Sequence, residues 1–198
     1  MTSFIVEQKL TAFVNKYSIY AVGPDGQKGG LICLAQQKRL AFKEEILFYA
    51  DEAKTTLAFK VKAEKVIDFH GKFIVRDAQD NELGRVRKAF KASLFRSTWE
   101  MLDVQDNVIS TVTEENAGLA VLRRVWDMVP IVGDLPFFFK YHFVFYAPGA
   151  ATIQARYTKT TLLRDHYRLD TFDDGLISQV GWQTLVAQCV LLDALQGR

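Results

Sequence analysis

Between Gly175 and Leu192 the chain runs GLISQVGWQTLVAQCVLL, eighteen residues without a charged side chain, closed by Asp193. Apolar residues at Leu176, Ile177, Val180, Trp182, Leu185, Val186, Ala187, Cys189, Val190, Leu191 and Leu192 cover nearly the whole circumference when projected at about 100° per residue. A helix that is apolar all round is either enclosed by protein or inserted in lipid, so the rest of the chain has to supply the enclosure. Roughly 20 apolar residues would span a bilayer core. Here Gln179, Gln183 and Gln188, with Ser178 and Thr184, interrupt the stretch. Glutamines are costly against hydrocarbon, whereas the backbone groups of a surrounding barrel would satisfy them. The flanks point the same way, with Asp170, Asp173 and Asp174 before the stretch and only Arg198 as a cation after it. The stretch therefore predicts a central helix over 175–195, buried inside a β-barrel made by everything before it.

The preceding residues supply strands. Gly23 to Gly30 (GPDGQKGG) is a turn cluster, because proline presets φ and glycine permits positive φ. Leu31 to Ala35 returns from it as the second arm of a hairpin. Ile46 to Ala50 and Thr55 to Lys62 follow. The second alternates, with Leu57, Phe59 and Val61 one way and Lys60 and Lys62 the other. FFFKYHFVFY, from Phe137 to Tyr146, carries aromatics on both faces and predicts a strand buried on both sides. Aromatics make up 13% of the chain, fifteen of them Phe, which suits a strand-rich protein with a large interior. After Asn116 the period changes to near 3.6 through Leu119, Leu122, Val125, Trp126 and Val129, predicting a helix over 118–129 that Pro130 ends. No linker or boundary interrupts the 198 residues, so the expectation is one mainly-β domain over 1–198, a closed antiparallel barrel of about twelve strands.

Two segments repeat at a spacing of twenty-six residues: FIVRDAQDNELG from Phe73 and WEMLDVQDNVIS from Trp99. Asp77 matches Asp103, and Gln79-Asp80-Asn81 matches Gln105-Asp106-Asn107. Each reads as a hairpin whose Asp and Asn bond their own backbone and tolerate left-handed conformations at the tip. The same oxygens invite calcium, but the alternating ligand spacing and distal Glu of a calcium loop are missing.

Between the repeats, GRVRKAFKASLFR places Arg85, Arg87, Lys88 and Lys91 beside Val86 and Phe90. A cationic strand face interleaved with aromatics suits an anionic partner, phospholipid head groups above all, with Lys60 and Lys62 as a second row. The plainer reading is the solvated face of a barrel strand. A net charge of +2 gives no reason to expect nucleic acid. No Gly-rich phosphate loop, His-Glu-x-x-His or Gly-x-Ser-x-Gly is present, so no enzyme and no cofactor is expected. His70, His142 and His166 are scattered and read as packing or surface residues. Asp170, Asp173 and Asp174 are the one candidate divalent-ion cluster, and acids before a helix also cap its amides. A small-ligand carrier or enzyme would have only a rim site near the terminal helix, around His142, His166 and those aspartates, since a filled barrel leaves no central pocket. Two cysteines, Cys33 and Cys189, with no apolar leader in MTSFIVEQKL, predict a cytoplasmic protein with reduced thiols.

The order of these pieces resembles a known family. The Pro24-Asp25-Gly26 turn, the QQKRLAFKEEILFY crossing, FIVRDAQDNELGRVRKAFKASLFRSTWEMLDVQDN, and a last strand running into an apolar helix ending Leu191-Leu192-Asp193 are together similar to LURP-one-related proteins. That family belongs with the tubby C-terminal domain and the phospholipid scramblases, and the resemblance extends from about Phe13 to Leu195. It implies a twelve-stranded barrel around a hydrophobic C-terminal helix. It also implies lipid-facing roles: tubby domains hold phosphoinositide head groups through surface Lys and Arg, and scramblases move lipids under calcium control. The chain is accordingly expected to be a non-catalytic binding barrel, cytoplasmic and peripheral at a membrane.

Overall fold

Period-two patterning sorts the side chains to two sides of one sheet, and the sheet closes on itself. The structure, a computed structural model, describes residues 1–10, 14–38, 45–64, 71–89, 98–115, 142–161 and 166–196. Twelve strands run in chain order: β1 (Ser3–Leu10), β2 (Val14–Val22), β3 (Lys28–Lys38), β4 (Glu45–Tyr49), β5 (Leu57–Ala63), β6 (Lys72–Asp77), β7 (Glu82–Lys88), β8 (Thr98–Leu102), β9 (Val108–Glu114), β10 (His142–Tyr146), β11 (Ile153–Lys159) and β12 (His166–Thr171). Each pairs antiparallel with the next, and β1 pairs with β12 through Phe4↔Leu169 and Val6↔Tyr167, closing the barrel and leaving no open edge. The mainly-β fold, the closure and the strand number agree with the expectation. The predicted helix over 118–129 lies outside the described residues.

The inward positions carry the core. Phe48 and Phe59 on β4 and β5 stack with ring centroids 4.0 Å apart, and Tyr157 stacks on Tyr167 at 4.7 Å. Trp99 and Met101 on β8 are buried with Val75 on β6 and Val86 on β7. On β10, Phe143, Val144 and Phe145 are all buried, so the described part of that segment is covered on both faces, as its aromatic content predicts.

Helix α1 (Asp174–Gln196) fills the barrel. Its start is capped by Asp173, whose Oδ1 accepts the Gly175 amide at 2.8 Å while Gln154 donates to Oδ2 at 3.3 Å. Near its far end the Asp193 carboxylate accepts the Tyr17 hydroxyl at 2.9 Å and the Tyr167 hydroxyl, and Gln8 donates to the Tyr17 hydroxyl at 3.0 Å. An acid close to a helix C-terminus opposes the backbone dipole, and the two tyrosine donors offset that. The helix is thus pinned to the wall at both ends.

The circumference reading holds from Thr184 to Leu192, where every residue is buried, but not from the first residue onward. At Gly181 the backbone takes φ 73° and ψ 152°, which interrupts the helix and leaves a first segment at the barrel mouth. There Ser178 and Gln179 are exposed, while Trp182 meets the Phe59 ring edge-on at 5.6 Å. The glutamines are not satisfied in the way their burial alone suggests. Gln179 faces out and Gln183 is half-buried; Gln188 is fully enclosed, with neither amide atom hydrogen-bonded among the described residues. A buried amide without partners costs about 1–3 kcal/mol. Gln188→Met, similar in shape and apolar, is therefore expected to raise the melting temperature, at about 2–4 °C per kcal/mol for a chain of this size. A lower melting temperature in a thermal scan would mean that the amide is hydrogen-bonded in solution.

Candidate functional site

The two repeated hairpins build one outer face of the barrel. In the first, Asp77 Oδ1 accepts the Gln79 and Asn81 amides at 2.9 and 2.8 Å, and Oδ2 accepts the Asn81 side chain at 2.9 Å. In the second, Asp103 makes the same three bonds to Gln105 and Asn107 at 2.9, 2.9 and 2.8 Å. Both tips turn on a left-handed aspartate, Asp80 at φ 73° and Asp106 at φ 67°. The repeat is thus turn chemistry, as its Asp-Asn pattern predicts.

The tip aspartates do a second job, each drawing in two cations: Asp106 from β6 and β7, and Asp80 from β5 and from its own hairpin strand β6. Asp106 is met by Arg85 at 2.6 Å and Lys72 at 3.0 Å, and Asp80 by Lys60 at 2.8 Å with Arg76 at 3.9 Å. Hydrogen bonds from these cations, Lys60 first for Asp80 and Arg85 first for Asp106, hold both carboxyls below the usual carboxylate range. The side-chain amides of Asn81 and Asn107 do the same for Asp77 and Asp103. A depressed carboxylate contributes stability that is fully present above its unfolded value, about pH 3.9, and lost as pH falls through the lower folded value. Melting temperature is therefore expected to drop on acidification below about pH 4. The drop should be smaller in the Asp77→Asn/Asp103→Asn double variant; an identical acid slope in the two proteins would contradict the assignment.

Alternation sorts the sequence-predicted cations. Lys60 and Lys62 on β5 and Arg85 and Arg87 on β7 face outward, with Lys60 opposite Arg76 and Arg87 opposite Lys72. Arg85 is tied to Glu82 as well as Asp106, which holds its guanidinium firmly charged, and Arg87 to Glu100 at 2.5 Å. Lys88 does not join them. It shares the inward parity of Gly84 and Val86, and its ammonium lies 5.7 Å from the ring centre of buried Trp99. Lys91 lies outside the described residues. The outer face is therefore mixed: Lys60, Lys62, Lys72, Arg76, Arg85 and Arg87 stand among Glu64, Asp80, Glu82, Glu100 and Asp106.

One place on this face is open. A groove of about 350 Å³ between β5 and β6 is lined by Lys60, Lys62, Ala63, Glu64, Ile74, Arg76 and Asp80. Period two sets Lys60 and Lys62 along one wall and Ile74 and Arg76 along the other, with Asp80 at the hairpin end and Glu64 at the opposite end. Lys62 is exposed and makes no ion pair among the described residues. Arg76 is not among the cations the sequence singles out, and Asp80 is read there only as a turn residue or a calcium-type oxygen. The alternation of KFIVRD, with Phe73 and Val75 buried, is the signal that places Arg76 on this face.

The remaining candidates have structural partners. Asp170 accepts from Ser3 at 2.6 Å and from Arg168 at 2.9 Å, and Asp173 caps α1. His142 and His166 begin β10 and β12, whereas the three aspartates lie at or beyond the end of β12. The length of one strand, about 17 Å at 3.3 Å per residue, separates the two groups. The rim constellation of histidines and aspartates is not assembled. Among the described residues no group of three or more His, Cys, Asp or Glu is placed to hold a metal ion. Both thiols are buried, and desolvation pushes Cys33 up to about 12 and Cys189 well above the ordinary thiol value, the reverse of an activated nucleophile.

A closed twelve-stranded barrel plugged by its own C-terminal helix, carrying an ion-paired hairpin face, is the class of protein this fold defines. The chain belongs to the LURP-one-related family, whose family model matches residues 32–193. No curated protein matches the chain.

Proposed function

We propose that the protein is a non-catalytic binding barrel that contacts an anionic partner, phospholipid head groups above all, through the outer face of β5 to β7. The observation that carries this reading is the groove in which Lys60, Lys62 and Arg76 converge over the apolar floor of Ile74. An ammonium pair beside a guanidinium attracts phosphate oxygens, and partial enclosure strengthens that attraction over a flat surface. The likeness to tubby domains, read from the sequence, supports the same chemistry. On this reading the barrel works in the cytoplasm, peripheral to an anionic leaflet, where each basic residue near the surface contributes about 1 kcal/mol.

Co-sedimentation with vesicles tests the proposal. Recovery with phosphatidylcholine vesicles containing phosphatidylserine should exceed recovery with phosphatidylcholine alone at low salt. It should fall as salt rises, because exposed charges are screened over about 10 Å at 0.1 M. Lys62→Glu should weaken it without altering the melting curve. Equal recovery on neutral and anionic vesicles would end the lipid reading.

A further inference from the structure

The groove contains its own anion. Lys60 Nζ lies 2.8 Å from Asp80 Oδ1, and Arg76 reaches the same residue twice, through a 2.9 Å bond to the backbone carbonyl and at 3.9 Å to Oδ2. The positive charge of Lys62 also acts on this carboxylate. Asp80 is accessible despite the cations around it: its side chain is 63% exposed, whereas Lys60 and Arg76 are 25% and 32% exposed. Lys60 and Arg76 are the better-covered part of the site, whereas the carboxylate, like Lys62, is exposed.

The sister hairpin shows what a settled version of the arrangement is. Its Asp106 is clasped at 2.6 and 3.0 Å by Arg85 and Lys72, whose side chains are only 19% and 16% exposed. At the first tip the guanidinium stands back and Lys62 has no ion pair among the described residues. A group with two or three negatively charged oxygens could satisfy all three cations at once, which a single carboxylate does not do. A phosphate monoester has that geometry and charge.

We propose that Asp80 is a built-in counter-ion of this groove, and that a phosphate monoester binds Lys60, Lys62 and Arg76 by displacing it. The inference rests on the anion-binding reading above and adds that the site is held in check by its own hairpin tip. Rotation of one exposed side chain opens the site, and no strand needs to move.

The test compares wild type with Asp80→Asn and Asp80→Gly, both of which tolerate the left-handed backbone at this tip. Glu52→Gln, at an exposed turn position, controls for the same change in net charge. Probes are phosphatidylcholine vesicles containing phosphatidic acid, and free glycerol 3-phosphate read by isothermal calorimetry. Removing a competitor worth no more than an exposed ion pair should tighten binding roughly two- to fivefold in both Asp80 variants. Glu52→Gln should leave it unchanged, and adding Lys62→Gln to Asp80→Asn should remove the gain. Equal tightening on both probes assigns the phosphate group itself, and tightening on vesicles alone assigns a lipid source; each supports the counter-ion. Binding by wild type with no gain in the Asp80 variants overturns the counter-ion and leaves the binding face standing. A gain matched by Glu52→Gln overturns it too, as an effect of bulk charge. No binding by any variant to either probe removes both.

Discussion

A chain ended at Phe172 is expected to lose its cooperative β-rich melt. The missing segment carries seven leucine and valine side chains that are buried in the barrel: Leu176, Val180, Leu185, Val186, Val190, Leu191 and Leu192. At about 1.5–3 kcal/mol for each, their burial sums to about 10–20 kcal/mol, an upper figure because the unfolded chain already hides some surface. Total stabilities are about 5–15 kcal/mol, so the strands alone have no margin. The inward rings of Phe48, Phe59, Phe143 and Tyr167 would line an empty lumen. Val186→Asp in the full chain should act in the same direction, since an unpaired buried ion costs several kcal/mol. The test is informative because α1 is also long and apolar enough to cross a membrane by length and composition. If that were its role, the shortened chain would stay folded and soluble. A sigmoidal thermal transition with strand-type circular dichroism from the shortened chain would sink the central-helix reading.

Gly84→Ala is expected to destabilise the barrel more than alanine at the other described strand glycines, Gly29 and Gly30. Helix α1 lies closest to β7, and Gly84 is where they meet. A Cβ there would stand 3.0 Å from Thr184 Oγ1, 3.2 Å from Thr184 Cγ2 and 3.1 Å from the Leu102 carbonyl oxygen. The carbonyl belongs to the paired strand β8 and cannot swing aside, so either the helix or the ladder must shift. Overpacking of this kind costs about 1–3 kcal/mol, or about 2–4 °C per kcal/mol in melting temperature at this chain length. Thr184→Ala in the same chain removes two of the three contacts. The double variant should therefore be more stable than the two single effects added together, by a coupling of about 0.5 kcal/mol or more. Strict additivity in the melting curves would show that Gly84 and Thr184 do not touch.

Most of this architecture is legible in the sequence, because it rests on periodicity. A stretch apolar on all sides requires enclosure, and segments such as LAFKVK and KFIVRD say which side chains face in. The Asp-Asn repeat likewise carries its own turn chemistry, since Asp77 and Asp103 bond amides only two and four residues away. These are local facts, and a local pattern encodes them. What the pattern could not hold is how strands far apart in sequence are brought side by side. Arg85 and Arg87 look like free cations in GRVRK, yet Asp106 lies twenty-one residues beyond Arg85 and Glu100 thirteen beyond Arg87. Only the register of β7 against β8 makes them partners. Lys88 reads as one more member of the basic row, but the two-residue period turns it to the opposite side, over Trp99. Gly181 permits a break, since glycine tolerates positive φ, but nothing local in the sequence requires the helix to break there. The groove is the clearest case: Arg76 and Asp80 are neighbours along one hairpin, but only the pairing of β5 with β6 brings Lys60 to that exposed carboxylate, at 2.8 Å.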